Sequence, residues 1–398
     1  MSSYHELLAL SVYRGVIRRP VGSALLNAVK AFSGGSTEQQ LDTMGALAEV
    51  LSRTGQLHSI LTALAAEVLS EENALTVAAA GHQELPAETL AAAKRDLAAL
   101  YNAAILVSRH TETNATMPTI GHAAAAAPLD AAWGDQAEAL MAWHGKNGCG
   151  EFVFHTAFLW RNGSMQPVEH IDPIRLCDLK GYEVQQAVAR DNTEAFLNGY
   201  PANNVLLYGD RGTGKSSTVK AILNEYADRE LRMIEVPKEY LHELPDLTDR
   251  LATLPMKFII FIDDLSFSGN DDNFSALKAV LEGGLATRPD NVLIYATSNR
   301  RHLLRESFDD RDGSEVHAAD TIQESVSLSD RFGITLTYIH PDHRRFVEMI
   351  RLMAEDMDLP LTDDELYTVA QELTSRRGAR SPRYARQYLI DLKHKRTE

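Results

Sequence analysis

The chain has 398 residues, enough for two or three domains with sizeable cores. Hydrophobic residues make up 44% and charged residues 24%, a globular mixture that excludes a disordered or disulfide-stapled chain and names no activity. Lys and Arg number 39 against 55 Asp and Glu; the formal charge of -16 argues against a surface given over to nonspecific nucleic-acid or anionic-membrane binding and leaves a local basic patch open.

The N-terminus reads MSSYHELLALSVYRG, with Glu6 interrupting the apolar positions and Arg14, Arg18 and Arg19 following them. That is the reverse of a secretory signal, and no run approaches the roughly 18 to 20 apolar residues of a membrane helix. Cys149 and Cys177 have no CxxC or His-rich companion, so neither a disulfide framework nor a zinc site is expected, and a reducing cytoplasm fits.

Residues 1–128 are rich in Ala and Leu, with helical apolar spacing over 20–32, 39–53, 56–69 and 87–107. Helix-ending clusters fall at Ser33–Ser36, Gly81–Pro86 and Thr113–Pro118, and Gly121–Pro128 reads as a linker or a short helix. This all-α region is either a packed bundle without chemistry or an adaptor surface for a partner. Residues 129–175 form a hairpin and linker region: 151–160 alternates with aromatic and β-branched side chains, and Arg161–Ser164 follows as a turn.

From Asn203 onward, strand-length apolar runs at 204–208, 231–236, 257–263, 291–297 and 334–339 alternate with amphipathic helices, which predicts a five-stranded parallel α/β sheet. After His340 the pattern is wholly helical, in pieces at 342–357, 362–375 and 381–394.

The strongest motif is Gly209-Asp210-Arg211-Gly212-Thr213-Gly214-Lys215-Ser216, followed by Ser217, which fits GxxxxGK[ST] between an apolar strand and a helix. Glycines let successive N–H groups turn inward and the helix N-terminus adds a positive dipole end, making a nest for phosphates. In such a P-loop Lys215 contacts the β- and γ-phosphates and the Ser216 hydroxyl ligates Mg²⁺. The run 257–264 is an apolar strand ending in Asp263 and Asp264, whose carboxyl end opens onto the ligand crevice of an α/β sheet. Asp263 is the expected carboxylate partner of the Mg²⁺ site; Asp264 is either a base that polarises water or a capping carboxylate. A third strand ends Thr297-Ser298-Asn299, and Asn299, ahead of Thr297 and Ser298, is the candidate to reach the γ-phosphate or attacking water.

In this order the three elements resemble the Walker A, Walker B and sensor 1 motifs of the AAA+ ATPases, and the resemblance covers about residues 176–398. It implies a P-loop NTPase fold, with an α/β nucleotide-binding domain over 176–340 and a helical lid over 341–398. It also implies ATP and Mg²⁺ as ligands, and homo-oligomers with ATP at subunit interfaces. Leu328-Ser-Asp-Arg331-Phe-Gly resembles the arginine-finger segment of the replication-initiator and helicase-loader branch, which assigns Arg331 to the nucleotide of a neighbouring subunit; the alternative is an arginine anchoring a strand end. Ser381-Pro382-Arg383 is similar to that branch's sensor 2, with Arg380 a rival to Arg383, and Asp178–Tyr182, with Gly181 and Tyr182, resembles the segment packed around adenine. The runs GYPANNVLLYGDRGTGKSS and FIDDLSF look like those of a bacterial group of AAA+-type ATP-binding proteins.

One departure is chemical: the family usually ends Walker B with Asp-Glu, and this chain has Asp263-Asp264, an arm one methylene shorter. Two function classes therefore stand open, ahead of a small-molecule P-loop kinase, which would leave the helical tail and the segment around Arg331 without a purpose. One is an ATP-hydrolysing motor or switch acting on a macromolecule; the other is a slow or nonhydrolytic regulator docking on a partner protein or nucleic acid. The basic tail 376–396 reads as a lid helix or a nucleic-acid patch, and the acidic stretch 306–324 as a solvated loop or a contact for a basic partner.

Overall fold

The computed structural model describes residues 2–53, 59–111, 128–129, 132–265, 272–282, 289–299, 331–377 and 380–397. The acidic stretch 306–324, the segment Leu328–Asp330 and most of the 113–128 breaks lie outside them. The chain divides into two compact units: residues 1–156 with the short segments 228–230 and 254–256, and the remainder. No helix among the described residues is long and apolar enough to cross a membrane.

The first unit is helical: α1 (Ser3–Leu8), α2 (Pro20–Phe32), α3 (Thr37–Arg53), α4 (Ile60–Leu69), α5 (Ala74–Ala80), α6 (Ala87–Thr111) and α7 (Ala137–Asn147). Along α6 the buried positions Ala93, Leu97, Leu100, Ala104 and Val107 recur at three- and four-residue steps, one apolar stripe toward the core. Helix α7 lies within the stretch that the sequence reads as hairpin and linker. Its buried residues Ala137, Leu140, Trp143 and His144 make only about three turns of pattern, too short to stand out before folding.

Two carboxylates organise the connection between α1 and α2. Asp96 Oδ2, on a residue 5% exposed, accepts the backbone N–H groups of Ser11, Val12 and Tyr13 at 2.8, 2.7 and 3.0 Å. Glu67 accepts from Val21 N and Gly22 N at 2.8 Å each, satisfying the first turn of α2 where a negative charge also opposes the helix dipole. Burial raises the Glu67 pKa above the usual carboxylate value, with those two N–H donors opposing the shift.

The second unit carries a seven-stranded sheet built from β1 (Ala157–Arg161), β2 (Ser164–Pro167), β3 (Val205–Gly209), β4 (Leu231–Glu235), β5 (Lys257–Ile262), β6 (Val292–Ser298) and β7 (Ile334–Tyr338), in the order β2-β1-β4-β5-β6-β3-β7. The five expected parallel strands are its core, and the strand count is corrected from five to seven because the hairpin joins them: β1 runs parallel to β4 and antiparallel to β2. The hairpin strand starts at Ala157, since Gly150–Val153 forms a 3₁₀ turn. Strand β6 is buried at every position and β5 at all but its first, as strands covered on both faces require.

Helices α8 (Glu183–Leu197), α9 (Lys215–Tyr226), α10 (Leu244–Ala252) and α11 (Asp272–Glu282) connect the strands, and α12 (His343–Asp356), α13 (Asp363–Arg377) and α14 (Pro382–Thr397) follow β7. Helix α8 is locked to the sheet by polar contacts. Asn192 exchanges 2.9 Å hydrogen bonds with the backbone of Asn203, and the buried Tyr295 hydroxyl meets Asn192 Nδ2 at 3.0 Å and Thr193 Oγ1 at 2.7 Å. The three last helices share the sheet's apolar cluster through Phe346, Ile350, Leu366, Ala370, Ala385 and Leu389.

Asp96→Ala is expected to destabilise the helical unit by about 3 kcal/mol, since three N–H groups lose their acceptor. Asp96→Asn keeps an oxygen there and should cost about 1 kcal/mol. Urea titrations of the two variants give the comparison, and equal losses would refute the N–H-capping role.

Candidate functional site

Strand order decides where the candidate residues meet. β3 lies between β6 and β7, and β5 is next to β6, so the carboxyl ends of β3, β5 and β6 are neighbours; Tyr208 pairs with Ser298, and Ile262 with Ala296. That edge of an open α/β sheet is where ligands bind.

Between β3 and α9 the chain turns through Gly209, Gly212 and Gly214 at φ +134°, +74° and +97°. Two of these need glycine for space as well. A Cβ on Gly209 would come within 2.1 Å of Tyr338 O, and one on Gly212 within 2.4 Å of Ser381 Oγ. Gly214 precedes α9 without a side-chain cap, which leaves the first-turn N–H groups of Lys215, Ser216 and Ser217 at the open, positive end of the helix. Thr213 Oγ1 donates to Asp210 O at 2.8 Å, and the Arg211 side chain is on the exposed rim.

Lys215 is 5% exposed, and its Nζ donates to Gly209 O at 2.9 Å and Asp210 O at 2.7 Å. Burial pushes its pKa below the usual lysine value, while Asp210, Asp264 and Asp263 pull it back up. An ammonium held among open helical N–H groups is a cradle for a phosphate chain.

Asp263 Oδ1 collects three donors: Ser216 Oγ at 2.5 Å, Thr297 Oγ1 at 2.6 Å and Asp264 N at 3.1 Å. A hydroxyl and a carboxylate in contact at a phosphate cradle are hard oxygen donors of the kind that suit Mg²⁺. Thr297, ranked behind Asn299 on sequence, joins β6 to this carboxylate. Asn299 goes instead to the second carboxylate, with Nδ2 donating to Asp264 Oδ1 at 2.5 Å. Asp264 stands at φ +53°, a left-handed conformation that Asp tolerates better than most residues, and its side chain is 53% exposed. Lys238 Nζ, which nothing in the sequence singled out, reaches Asp264 Oδ2 at 3.4 Å.

The segment after α14 begins and the segment before α8 both meet the loop. Gly212 O accepts from Ser381 Oγ at 3.1 Å and from Arg383 N at 3.3 Å, and Arg383 is exposed. The rival Arg380 places Nη1 on Pro341 O at 3.4 Å. Asp210 ties the loop to the end of β7, its N donating to Tyr338 O at 2.7 Å and its carboxylate accepting from His340 N at 2.6 Å. Leu179 lies beside Gly214, its Cδ2 3.7 Å from where a Cβ there would stand. Gly181 N donates to Glu183 Oε1 at 2.6 Å. Tyr182 is stacked on Tyr338 at 4.8 Å between centroids and donates to Ile339 O at 2.9 Å, so its ring is part of the packing under β7; burial raises its pKa.

Arg331 is not part of this group. Val205 pairs with Ile334 and Gly209 with Tyr338, so the parallel strands β3 and β7 start together, and Arg331 precedes β7 at the end opposite the loop. Four strand steps of about 3.3 Å separate the two ends.

Local alignments with curated proteins include two nucleotidases. The chain is 31% identical over 170 residues to the proteasome-activating nucleotidase of Methanoregula boonei, covering 34% of this chain and 39% of that protein. It is 25% identical over 226 residues to proteasome-activating nucleotidase 2 of Haloferax volcanii, covering 54% and 52%. The chain thus spans about half the length, or less, of these relatives. Among solved structures, the Thermotoga maritima RuvB Holliday junction branch migration motor matches 56% of this chain and 65% of its own at 19% identity, with a TM-score of 0.37. The nucleotidase alignments support the resemblance to the AAA+ ATPases. A family model described as "Protein of unknown function (DUF815)" matches residues 154–396, more than half of the sequence, and the chain belongs to that family.

Proposed function

We propose that the chain binds Mg²⁺-ATP at the loop 209–216 and hydrolyses it as an AAA+-type ATPase, a cytoplasmic motor or switch that works on a macromolecular client as a homo-oligomer. The observation that carries this reading is the contact of Ser216 Oγ with Asp263 Oδ1, beside the buried Lys215. Ser216 and Asp263 would hold Mg²⁺, which would supply positive charge to screen the phosphates.

The rest is work for side chains. Lys215 holds the β- and γ-phosphate oxygens, and the open N–H groups of 215–217 bind the phosphates without reorganising. Thr297 and the Asp264 amide fix Asp263 in the orientation that meets Ser216. Asp264 accepts the proton of the attacking water, and Asn299 orients that water. Leu179, Gly181 and Tyr182 line the base end, and Arg383 approaches from α14.

A second reading, an ATP-bound regulator with slow turnover, is favoured by one observation: both oxygens of the short Asp264 side chain are engaged, by Asn299 and by Lys238. The client, protein or nucleic acid, is to be found by comparing turnover with unfolded protein, single-stranded DNA and duplex DNA. No membrane role is proposed.

Lys215→Ala is expected to weaken Mg²⁺-ATP binding by about 10- to 100-fold, the range of a charge-assisted hydrogen bond, as read by titration calorimetry. Unchanged affinity would end the P-loop assignment. Asp264→Asn should leave binding intact and lower phosphate release about 100-fold or more, the usual effect of removing a general base. Wild-type turnover in that variant would move the base elsewhere.

Arg331 is far from its own loop, which supports action on a neighbouring subunit. Such fingers contribute about 10³ to 10⁵ in rate. Arg331→Ala protein should therefore bind ATP, lose most turnover, and regain part of it when mixed with Lys215→Ala protein, because a mixed interface can pair an intact loop with an intact finger. Co-assembly without any rescue would make Arg331 structural.

A further inference from the structure

The helical unit carries a groove of its own, in the part of the chain ahead of the family match, which begins at residue 154. Helices α2 and α3 are joined by a short connection at 33–36, which makes them antiparallel neighbours, and α3 packs chiefly on α2. Of the 17 residues of α3 only Leu47 and Leu51 are buried, whereas a helix lying on a core usually buries about three to four in every two turns. Between the two helices runs a groove of about 770 Å³. Small apolar residues, Ala24 and Ala31 of α2 with Ala46 and Val50 of α3, lie along it, and none of the described residues that line it is aromatic.

The charged residues among those that line it are Arg18, Arg19, Lys30 and Asp42. Arg19 is already engaged, with Nε 3.1 Å from Glu71 Oε2 and Nη2 donating to Ser70 O at 2.8 Å. Arg18, Lys30 and Asp42 are exposed, and their side chains make no hydrogen bond or ion pair with another described residue. Arg18 stands just ahead of α2, and Lys30 follows Pro20 by about 15 Å of helix rise. In a chain whose net charge is -16, two open cations at the two ends of one groove reverse the prevailing sign.

We infer that the groove between α2 and α3 docks one amphipathic α-helix of a partner protein, with acidic side chains about 11 positions apart that reach Arg18 and Lys30. The inference stands apart from nucleotide turnover. Size fits first: a helix about 10 Å wide occupies roughly 400 Å³ per turn, so the groove takes one side of a helix of about three to four turns. Alanines let such a helix approach closely, as helix pairs do when the residues at their contact are small. Eleven residues make about three whole turns and about 16 Å, which puts both acids on one face at the spacing of the cations. Two other occupants fit less well. Pockets for small molecules are lined mainly by hydrophobic and aromatic side chains, and this lining is polar and alanine-rich. A nucleic acid brings an unbroken row of phosphates, which Asp42 would oppose.

The test uses the full chain and a displayed library of peptides about 18 residues long, with Leu and Ala at helical spacing and Glu, Lys or Gln elsewhere. Selected peptides should carry Glu at two positions about 11 apart, and their affinities are read by fluorescence anisotropy at low salt. Arg18→Glu/Lys30→Glu should weaken binding about tenfold or more, since two exposed attractions become repulsions. A peptide with those two Glu changed to Lys should then prefer the doubly substituted chain to the wild type. Ala46→Trp, at an exposed position of the groove, should also cost about tenfold by filling the space. Circular dichroism melts check that each chain stays folded, and the two charge changes, both at exposed positions, keep the test valid should the Trp variant melt early. Lys215→Ala protein should bind the peptides as the wild type does.

A library that yields no binder, or binders indifferent to both groove variants, overturns the docking site. Absence of the charge-swapped preference overturns the acidic spacing. Single-stranded DNA that binds the wild type and not Arg18→Glu/Lys30→Glu makes the groove a nucleic-acid contact instead. Self-association in sedimentation that Ala46→Trp removes makes it a contact between copies of this chain.

Discussion

The candidate site depends on one oxygen. Asp263 Oδ1 receives the hydroxyl of Ser216 from the start of α9, the hydroxyl of Thr297 from the end of β6, and the amide of Asp264 from its own chain. Three segments are thereby fastened at the edge of the sheet where they would otherwise only abut. Hydrogen bonds to an ionised acceptor are about twice as strong as neutral ones, and three of them keep a carboxylate in place that would otherwise rotate. The parallel order β5-β6-β3 is the precondition, because it makes the ends of these strands neighbours.

The loop 209–214 is held from the other side by groups that follow β7. Asp210 bonds to the backbone of Tyr338 and His340, and Gly212 O takes both Ser381 and Arg383. Ser381 stands where a helix N-cap stands, directly before α14, and yet its hydroxyl serves the loop. The start of α14 and the loop thus share hydrogen bonds, and a shift in one changes the satisfaction of polar groups in the other. That makes the terminal helices a mechanical neighbour of the loop as well as a cover for the apolar cluster around Phe346 and Ile350.

What could be read from sequence follows the range of the interaction. The strand, glycine loop and helix around Lys215 are local, and hydrophobic periodicity with turn chemistry announces them; so do β5, β6 and β7 as apolar runs with polar ends. The two extra strands were legible as a hairpin and not as sheet members, because alternation reveals a strand without naming its neighbour, here β4. Helix α7 escaped for lack of length. The tie of Lys238 to Asp264 spans 26 positions and that of Ser381 to Gly212 spans 169, and each partner is an ordinary surface residue type until the fold brings them together. Thr297 and Asn299 show the same limit across 34 and 35 positions: one is next to last in β6 and the other just after it, and they meet different carboxylates, with Asp264 in a left-handed turn.

Burial divides the site into two halves of different stiffness. Lys215, Thr213, Thr297 and Ser298 are nearly inaccessible, and Ser298 and Leu265 exchange hydrogen bonds with the strand end, Ser298 Oγ to Leu265 O and Leu265 N to Thr297 O. Opening that half would expose polar groups whose partners are buried, so it behaves as part of the core. Asp264, Lys238 and the Arg211 and Arg383 side chains are on the wet side, where a broken contact is replaced by water at little cost. Under the proposed function, a site built this way would hold phosphate with its rigid half and change its chemistry with its soft half, so that control over turnover need not disturb binding.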